Sequence, residues 1–173
     1  MIVFKRLYFA IESFIVTRFL EDGPSPFLRI IFRLPIWQYK LGLQGPISGQ
    51  ILILNTIGRK SGKKRQTALG YGYDANSKTY SVMTGWGGRS DWYQNALVNP
   101  DVELWIGRQR IKAIAKPVPS DQAIEKMKAL VAINPHASDM LGKLSKKPFD
   151  GSEAWYREMI RHYPFLSFTL VDQ

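Results

Sequence analysis

Thr56-Ile-Gly-Arg-Lys-Ser-Gly-Lys-Lys-Arg65 packs five cations, two glycines and a serine into ten residues between two apolar, strand-like runs. A connection this short favours antiparallel pairing of its flanks, 51–57 and 65–73. Outward from this hairpin the texture repeats, with strand patterns at 78–84, 101–106 and 109–118 and turns at Gly62-Lys63, Ala75-Asn76-Ser77 and Gly107-Arg108. Val102, Leu104 and Ile106 alternate with Glu103 and Trp105, and the last run, Phe165 to Val171, sets Leu166, Phe168 and Leu170 on one face. Six antiparallel strands predict a small barrel, an α+β chain that is mainly β. Closure removes exposed edges, and helices then pack outside or across the mouth. Helical patterns fall at 90–98, 121–133, 137–145 and 152–162.

Upstream the texture is different. Residues 2 to about 20 read as a helix with Val3, Phe4, Leu7, Ile11 and Phe14 on one face and Lys5, Arg6, Glu12 and Ser13 opposite. Its charges argue against a membrane-crossing segment, and no small-residue cleavage site follows it. Such a helix lies on something: the rest of the fold, a partner or a lipid surface. Glu21-Asp22-Gly23-Pro24-Ser25-Pro26 breaks it, and Phe27 to Gly42 resumes a helical pattern that Pro35 should kink. The expected organisation is an N-terminal helical extension, 1–45, followed by the barrel domain, 46–173.

At 173 residues and 45% hydrophobic content the chain can bury a sizeable core as one domain. With no cysteine, disulfides and thiolate metal sites are excluded, and a cytoplasmic location is expected. His136 and His162 stand far apart, without metal-binding spacing, so no metal is expected. A net charge of +10 draws polyanions, whether nucleic acid, anionic lipid or a phosphorylated small molecule.

The bend at 56–65 suits an anion. Gly58 and Gly62 can take positive φ and admit a ligand to the main chain, and successive N–H groups in such a turn form a nest for phosphate oxygens. Arg59, Lys60, Lys63, Lys64 and Arg65 add charge-assisted bonds. The plain alternative is a solvated hairpin turn, since charge runs ordinarily face water. A second segment, Met83-Thr-Gly-Trp-Gly-Gly-Arg-Ser-Asp-Trp-Tyr-Gln-Asn95, passes from a strand end through a glycine-rich loop into a helix. Ser90 is placed to cap that helix and Asp91 to complement its dipole. Gly85, Gly87 and Gly88 admit a flat ring system that Trp86 could wall, while the alternative has Trp92 and Tyr93 simply anchoring a short helix in the core. Both segments begin at strand ends, so one can hold a phosphate chain while the other faces the ring attached to it.

With these motifs in this order, and with Asn99-Pro-Asp-Val102, Arg33-Leu-Pro35 and Tyr39-Lys-Leu-Gly42 around them, the chain resembles the deazaflavin-dependent nitroreductases and their quinone-reductase relatives over most of residues 30–173. The resemblance implies a split β-barrel of the FMN-binding kind, in agreement with the strand reading. It implies a phosphorylated flavin-like coenzyme, usually the deazaflavin coenzyme F420 and in some branches FMN, and hydride transfer to a quinone, nitroaromatic or other conjugated acceptor. Carried over by residue, it implies that Arg59, Lys60, Ser61, Gly62, Lys63 and Arg65 hold the phosphate and acidic tail. Val82, Met83, Thr84, Gly85 and Trp86 would lie along the ring and offer it backbone bonds, with Trp92 and Asn95 supporting the loop from behind. One departure is plain: relatives place tyrosines over the coenzyme from a C-terminal helical segment, where this chain has Asn134-Pro-His-Ala-Ser-Asp-Met-Leu141. His136 is the candidate proton donor in their place, against a role as helix cap or surface residue. Such chemistry asks little of side chains, because the cofactor carries the reaction.

Two readings compete. Tightly held FMN is the close variant, although the number of cations leans toward the longer acidic tail of the deazaflavin. A non-enzymatic basic barrel binding nucleic acid or anionic membrane is the other class. Base stacking needs exposed aromatics interleaved with cations on strands. Here the aromatics concentrate in the helices and the Gly-Trp-Gly-Gly loop, so no nucleic-acid partner is expected. Contact of residues 2–20 with a membrane is compatible with the enzyme reading, and barrels of this kind can pair as homodimers across their cofactor sites.

Overall fold

The computed structural model describes residues 36, 37, 39, 51–85, 88–134 and 136–171. The expected helix at 2–20, and most of that at 27–42, lie outside the described residues; Ile36, Trp37 and Tyr39 are helical. Seven strands follow: β1 (Ile51–Ile57), β2 (Lys64–Gly70), β3 (Gly72–Asp74), β4 (Thr79–Met83), β5 (Asp101–Ile106), β6 (Gln109–Pro117) and β7 (Phe165–Leu170). Helix α1 (Asp91–Val98) joins β4 to β5, and α2 (Ser120–Ile133), α3 (His136–Ser145) and α4 (Glu153–His162) lie between β6 and β7. The strands form one antiparallel sheet in the order β2-β1-β5-β6-β7-β4-β3.

Seven strands appear rather than the expected six because the run at 65–73 breaks at Tyr71. Its first part pairs with β1, Gly70 opposite Ile51, and its second with β4, Gly72 opposite Ser81. One residue, flanked by two glycines, therefore joins the two edges of the whole sheet. Because consecutive Cα atoms are about 3.8 Å apart, the sheet must curl until those edges meet, and glycine is the residue that permits a tight bend at a barrel corner. Among the described residues β2 and β4 share no ladder, so the barrel is split along that seam. Four antiparallel steps separate β1 from β4, which makes the two strands run the same way. Both C-terminal ends therefore open on the same rim, which brings the two sequence motifs to one end of the barrel.

Period-two alternation fills the barrel. Leu52 and Leu54, Val82, Val102 and Leu104, Ala113 and Ala115, and Leu166 and Phe168 face inward, and Trp92, Tyr93 and Ala96 of α1 complete the cluster. Ala115 sits opposite Phe168 across the β6–β7 ladder, small against large. A second core lies on the outer face of the sheet, where Phe165 meets Ile124 and Met127 of α2, Leu141 of α3 and Trp155, Tyr156, Met159 and Ile160 of α4. The last four share one helical face. Strand β7 is thus buried on both sides, Phe165 toward the helices and Leu166 and Phe168 toward the barrel, with Leu170 at the margin of the inner cluster.

Candidate functional site

The bend between β1 and β2 is held by its own main chain. Gly58 N–H donates to Lys63 O (2.9 Å), while the Ser61 and Gly62 N–H groups both donate to Gly58 O (3.1 and 2.8 Å). Lys63 N–H donates to Ser61 Oγ (3.4 Å), and Arg59 N–H reaches across to Asn95 Oδ1 (3.1 Å). This corrects the expectation of a backbone nest: the N–H groups of residues 58, 59, 61, 62 and 63 are spent inside the protein. The groups the bend offers to solvent are side chains, those of Lys60, Ser61, Lys63, Lys64 and Arg65. The glycines divide the labour. Gly62 has φ of 63°, whereas Gly58 is needed for closeness, since a Cβ there would stand 2.7 Å from Ser61 Oγ and 3.3 Å from Lys63 O.

Arg59 ties this bend to α1. Its Nη1 donates to Asp91 Oδ1 (2.9 Å) and to Asn95 Oδ1 (3.0 Å), and Asn99 Nδ2 makes a long contact with Ile57 O (3.5 Å). Asn95 is buried, so one carboxamide oxygen satisfies both the main chain and the side chain of Arg59. The sequence reading gives Asp91 only to the helix dipole and gives Asn99 no contact with the bend. A signal was present: residues 91, 95 and 99 repeat at i, i+4 and i+8, a polar stripe on a helix whose other face carries Trp92, Tyr93 and Ala96.

The second motif lies at the same rim. Val82 is spent on the barrel core and Met83 on the helical cluster, so the side chains of these two residues serve packing. Strand β3 pairs with β4 only as far as Ser81, leaving the β4 edge at Val82 and Met83 facing the split. Thr84 N–H donates to Pro164 O (2.9 Å). Gly88 has φ of 72°, and a Cβ on it would meet Pro164 Cγ at 3.3 Å and the Tyr93 ring at 3.4 Å. Gln94 Nε2 donates to Gly88 O (2.8 Å), closing the loop onto α1. Trp86 lies outside the described residues. Trp92 and Tyr93 are both buried, with rings 5.8 Å apart and nearly perpendicular, and burial pushes the Tyr93 hydroxyl pKa up.

Ser90 occupies the N-cap of α1, yet its side chain makes no capping bond, which corrects the sequence expectation. Its hydroxyl and those of Thr56 and Thr84 are buried without a protein hydrogen-bond partner. His136 opens α3, and its side chain is outside what the structure describes.

Over residues 37–146 the chain matches the family described as F420H(2)-dependent quinone reductase. The chain belongs to this family. A curated F420H(2)-dependent quinone reductase of Mycobacterium tuberculosis is 36% identical over 80 residues, 46% of this chain and 54% of that protein. The chain thus spans about half the length of the curated relatives it matches. A solved F420-H2 dependent reductase, FDR-A, superposes with a TM-score of 0.50 at 22% identity, covering 69% of this chain and 94% of that one. A protein solved as a domain-swapped dimer gives 0.53 at 19% identity, covering 84% of this chain and 100% of that one. At such identities these two likenesses establish the curled-sheet, split-barrel fold. Coenzyme F420 is the cofactor for which the family is named, and the rim fits it in kind: exposed cations for an acidic tail, unpartnered hydroxyls for neutral polar atoms, and a glycine loop. No helix among the described residues is long and apolar enough to cross a membrane.

Proposed function

We propose that this protein binds reduced coenzyme F420 at the rim shared by the β1–β2 bend and the β4–α1 loop, and reduces a quinone, nitroaromatic or other conjugated acceptor. The observation that carries the reading is the Arg59 brace to Asp91 and Asn95, which fixes a five-cation bend beside the glycine loop. A molecule with an acidic tail and a flat head needs this pairing. Lys60, Lys63 and Arg65 take the phosphate and acidic tail, with Ser61 and Gly62 shaping the approach. Arg59 keeps the bend in register with α1, and Trp92 and Asn95 hold the loop from behind. Val82, Met83, Thr84, Gly85 and Trp86 line the ring, which the main chain of the β4 edge meets. When bound, the reduced deazaflavin supplies the hydride, and solvent or a protein acid such as His136 supplies the accompanying proton.

The test mixes purified protein with reduced F420 and menadione. Oxidation above the uncatalysed rate, with saturable coenzyme binding, is expected; neither occurring rejects the reading. A yellow protein with a flavin spectrum would transfer the same site to FMN. The proposed coenzyme-binding unit is residues 46–173, and within the 1–45 extension residues 2–20 are the segment proposed to contact a membrane carrying a lipid-soluble quinone. Liposome flotation of the full chain against one starting at Ser25 tests that role, and equal behaviour rejects it. Pairing of two copies across the rim is tested by sedimentation.

A further inference from the structure

Ser90 and Ser152 form a natural control. Each is the N-cap residue of a helix and each has cap-like backbone angles, φ −57° and ψ 136° for Ser90 against φ −73° and ψ 151° for Ser152. The Ser152 hydroxyl accepts Trp155 N–H at 3.0 Å and caps α4. The Ser90 hydroxyl accepts nothing, although a cap bond is the ordinary use of serine in that geometry and removing one typically destabilises a helix. The same residue in the same backbone setting is used in two different ways.

Thr56 and Thr84 extend the pattern. Their relative exposures are 2% and 1%, that of Ser90 is 8%, and none of the three hydroxyls has a protein partner. Buried polar groups are nearly always hydrogen-bonded, so each exception needs a cause. These three are the unpartnered buried side-chain polar atoms found among the described residues, and all three belong to one rim. Thr56 sits one residue before the end of β1, Thr84 one residue past the end of β4, and Ser90 directly before α1. The carboxamide oxygen of Asn95, buried at the same rim, by contrast accepts two hydrogen bonds from Arg59. Chance placement would scatter such groups through both cores.

We propose that the hydroxyls of Thr56, Thr84 and Ser90 are hydrogen-bonding positions for the uncharged polar part of the coenzyme, its ring carbonyl and N–H groups and its hydroxylated chain. The inference rests on the coenzyme reading given above and adds to it. Uncharged hydroxyls suit uncharged ligand atoms, because a hydroxyl can donate or accept as required. The cations of the bend take the acidic end. Rotation about χ1 between staggered wells lets a serine or threonine hydroxyl swing to a new partner without backbone movement. A site that holds polar groups unpaired until its ligand arrives gives up stability for binding.

The experiment uses the full chain and the variants Ser90→Ala, Thr84→Val and Thr56→Val, which remove little beyond the hydroxyl. Melting temperature is measured without coenzyme, and the dissociation constant is measured by fluorescence titration with F420. Each variant is expected to melt at or above the wild-type temperature without coenzyme and to bind F420 roughly 5- to 30-fold more weakly, as for loss of one hydrogen bond to a buried group. The hydroxyl-retaining Ser90→Thr and Thr84→Ser are expected to keep most of the affinity. A variant that melts lower without coenzyme, or that binds F420 as wild type does, overturns the assignment for its hydroxyl, because the group was then serving the fold. Wild-type protein that fails to bind F420 removes this inference together with the coenzyme reading, whereas wild-type binding with unaffected variants removes the inference alone.

Discussion

The two rims of the barrel handle their polar groups in opposite ways. At the rim away from the cationic bend, the Asp74 carboxylate accepts from the Asn76 and Ser77 main-chain N–H groups (2.9 and 3.4 Å) and from the Ser77 hydroxyl (2.7 Å). Tyr39 donates to Ile51 O (2.7 Å) and accepts from Gly107 N–H (3.3 Å). Tyr80 packs against Tyr71 and Tyr73 with centroids 5.4 and 4.7 Å away. Burial, with the neighbouring Tyr80 and Tyr39, pushes the Tyr71 hydroxyl pKa up. That rim is finished by its own residues. The opposite rim ties up its main chain and the Arg59–Asp91–Asn95 brace, and leaves its remaining cations crowded in solvent and three hydroxyls unpaired in the interior. Unspent interaction energy is what a binding site needs, so the contrast supports the proposed placing of the coenzyme without reference to any relative.

The sharpest way to break this contrast is to remove the charge. Lys60, Lys63 and Arg65 changed together to alanine should weaken F420 binding by about 100-fold or more, since each charge-assisted bond contributes roughly 1.5–3 kcal/mol. The melting temperature of the protein alone should stay level or rise, because like charges in an exposed bend repel one another. Titration at rising salt should show the wild-type affinity falling toward that of the variant. A variant that binds normally would make the bend a solvated turn.

The finished rim should behave inversely. Tyr80→Ala deletes a half-buried ring at the junction of the barrel edges and is expected to cost about 2–3 kcal/mol in urea unfolding, below the usual 3–5 kcal/mol for fully buried rings. Coenzyme affinity should shift less than about twofold, within the additivity expected of distant sites. Between these extremes lies the brace. Asn95→Ala leaves Arg59 N–H without its partner and should cost about 1–2 kcal/mol of stability together with roughly tenfold in affinity. Arg59→Ala should do much the same, and a double-mutant cycle should return a coupling near 1 kcal/mol, because both changes undo one contact.

Much of this was legible in the chain because local patterns fixed it. The helix bounds at 91–98, 120–133, 136–145 and 153–162 fall within a residue or so of the apolar periodicities, and the hairpins follow their turn residues. What escaped depended on distant partners. Gly70-Tyr71-Gly72 advertises a bend, yet nothing near it says that the residues before and after join opposite edges of one sheet. The cationic bend reads as a candidate anion site by composition, while the partner of its Arg59 N–H is Asn95, thirty-six residues away. Ser90 and Ser152 look alike as helix starts, and only the surroundings separate a capping hydroxyl from an unpaired one.

The smallest effect gives the most discriminating control. Asp74 is half-buried at the end of β3, and the Ser77 hydroxyl bond, followed by the main-chain N–H groups of Asn76 and Ser77, holds its carboxyl below the usual carboxylate range. A folded-state pKa depressed in this way adds stability that is present above the unfolded value and is lost as pH falls through the folded one. Carbon-detected titration should therefore show Asp74 protonating later than an exposed aspartate on acidification, and Ser77→Ala should move it back toward the ordinary value. F420 affinity should not respond to that substitution at any pH where the protein stays folded, because the turn lies at the rim that has spent its hydrogen bonds. An affinity change would mean that the Asp74 turn and the cationic bend communicate through the β2–β3 bend at Tyr71, and the two rims could no longer be treated as separate.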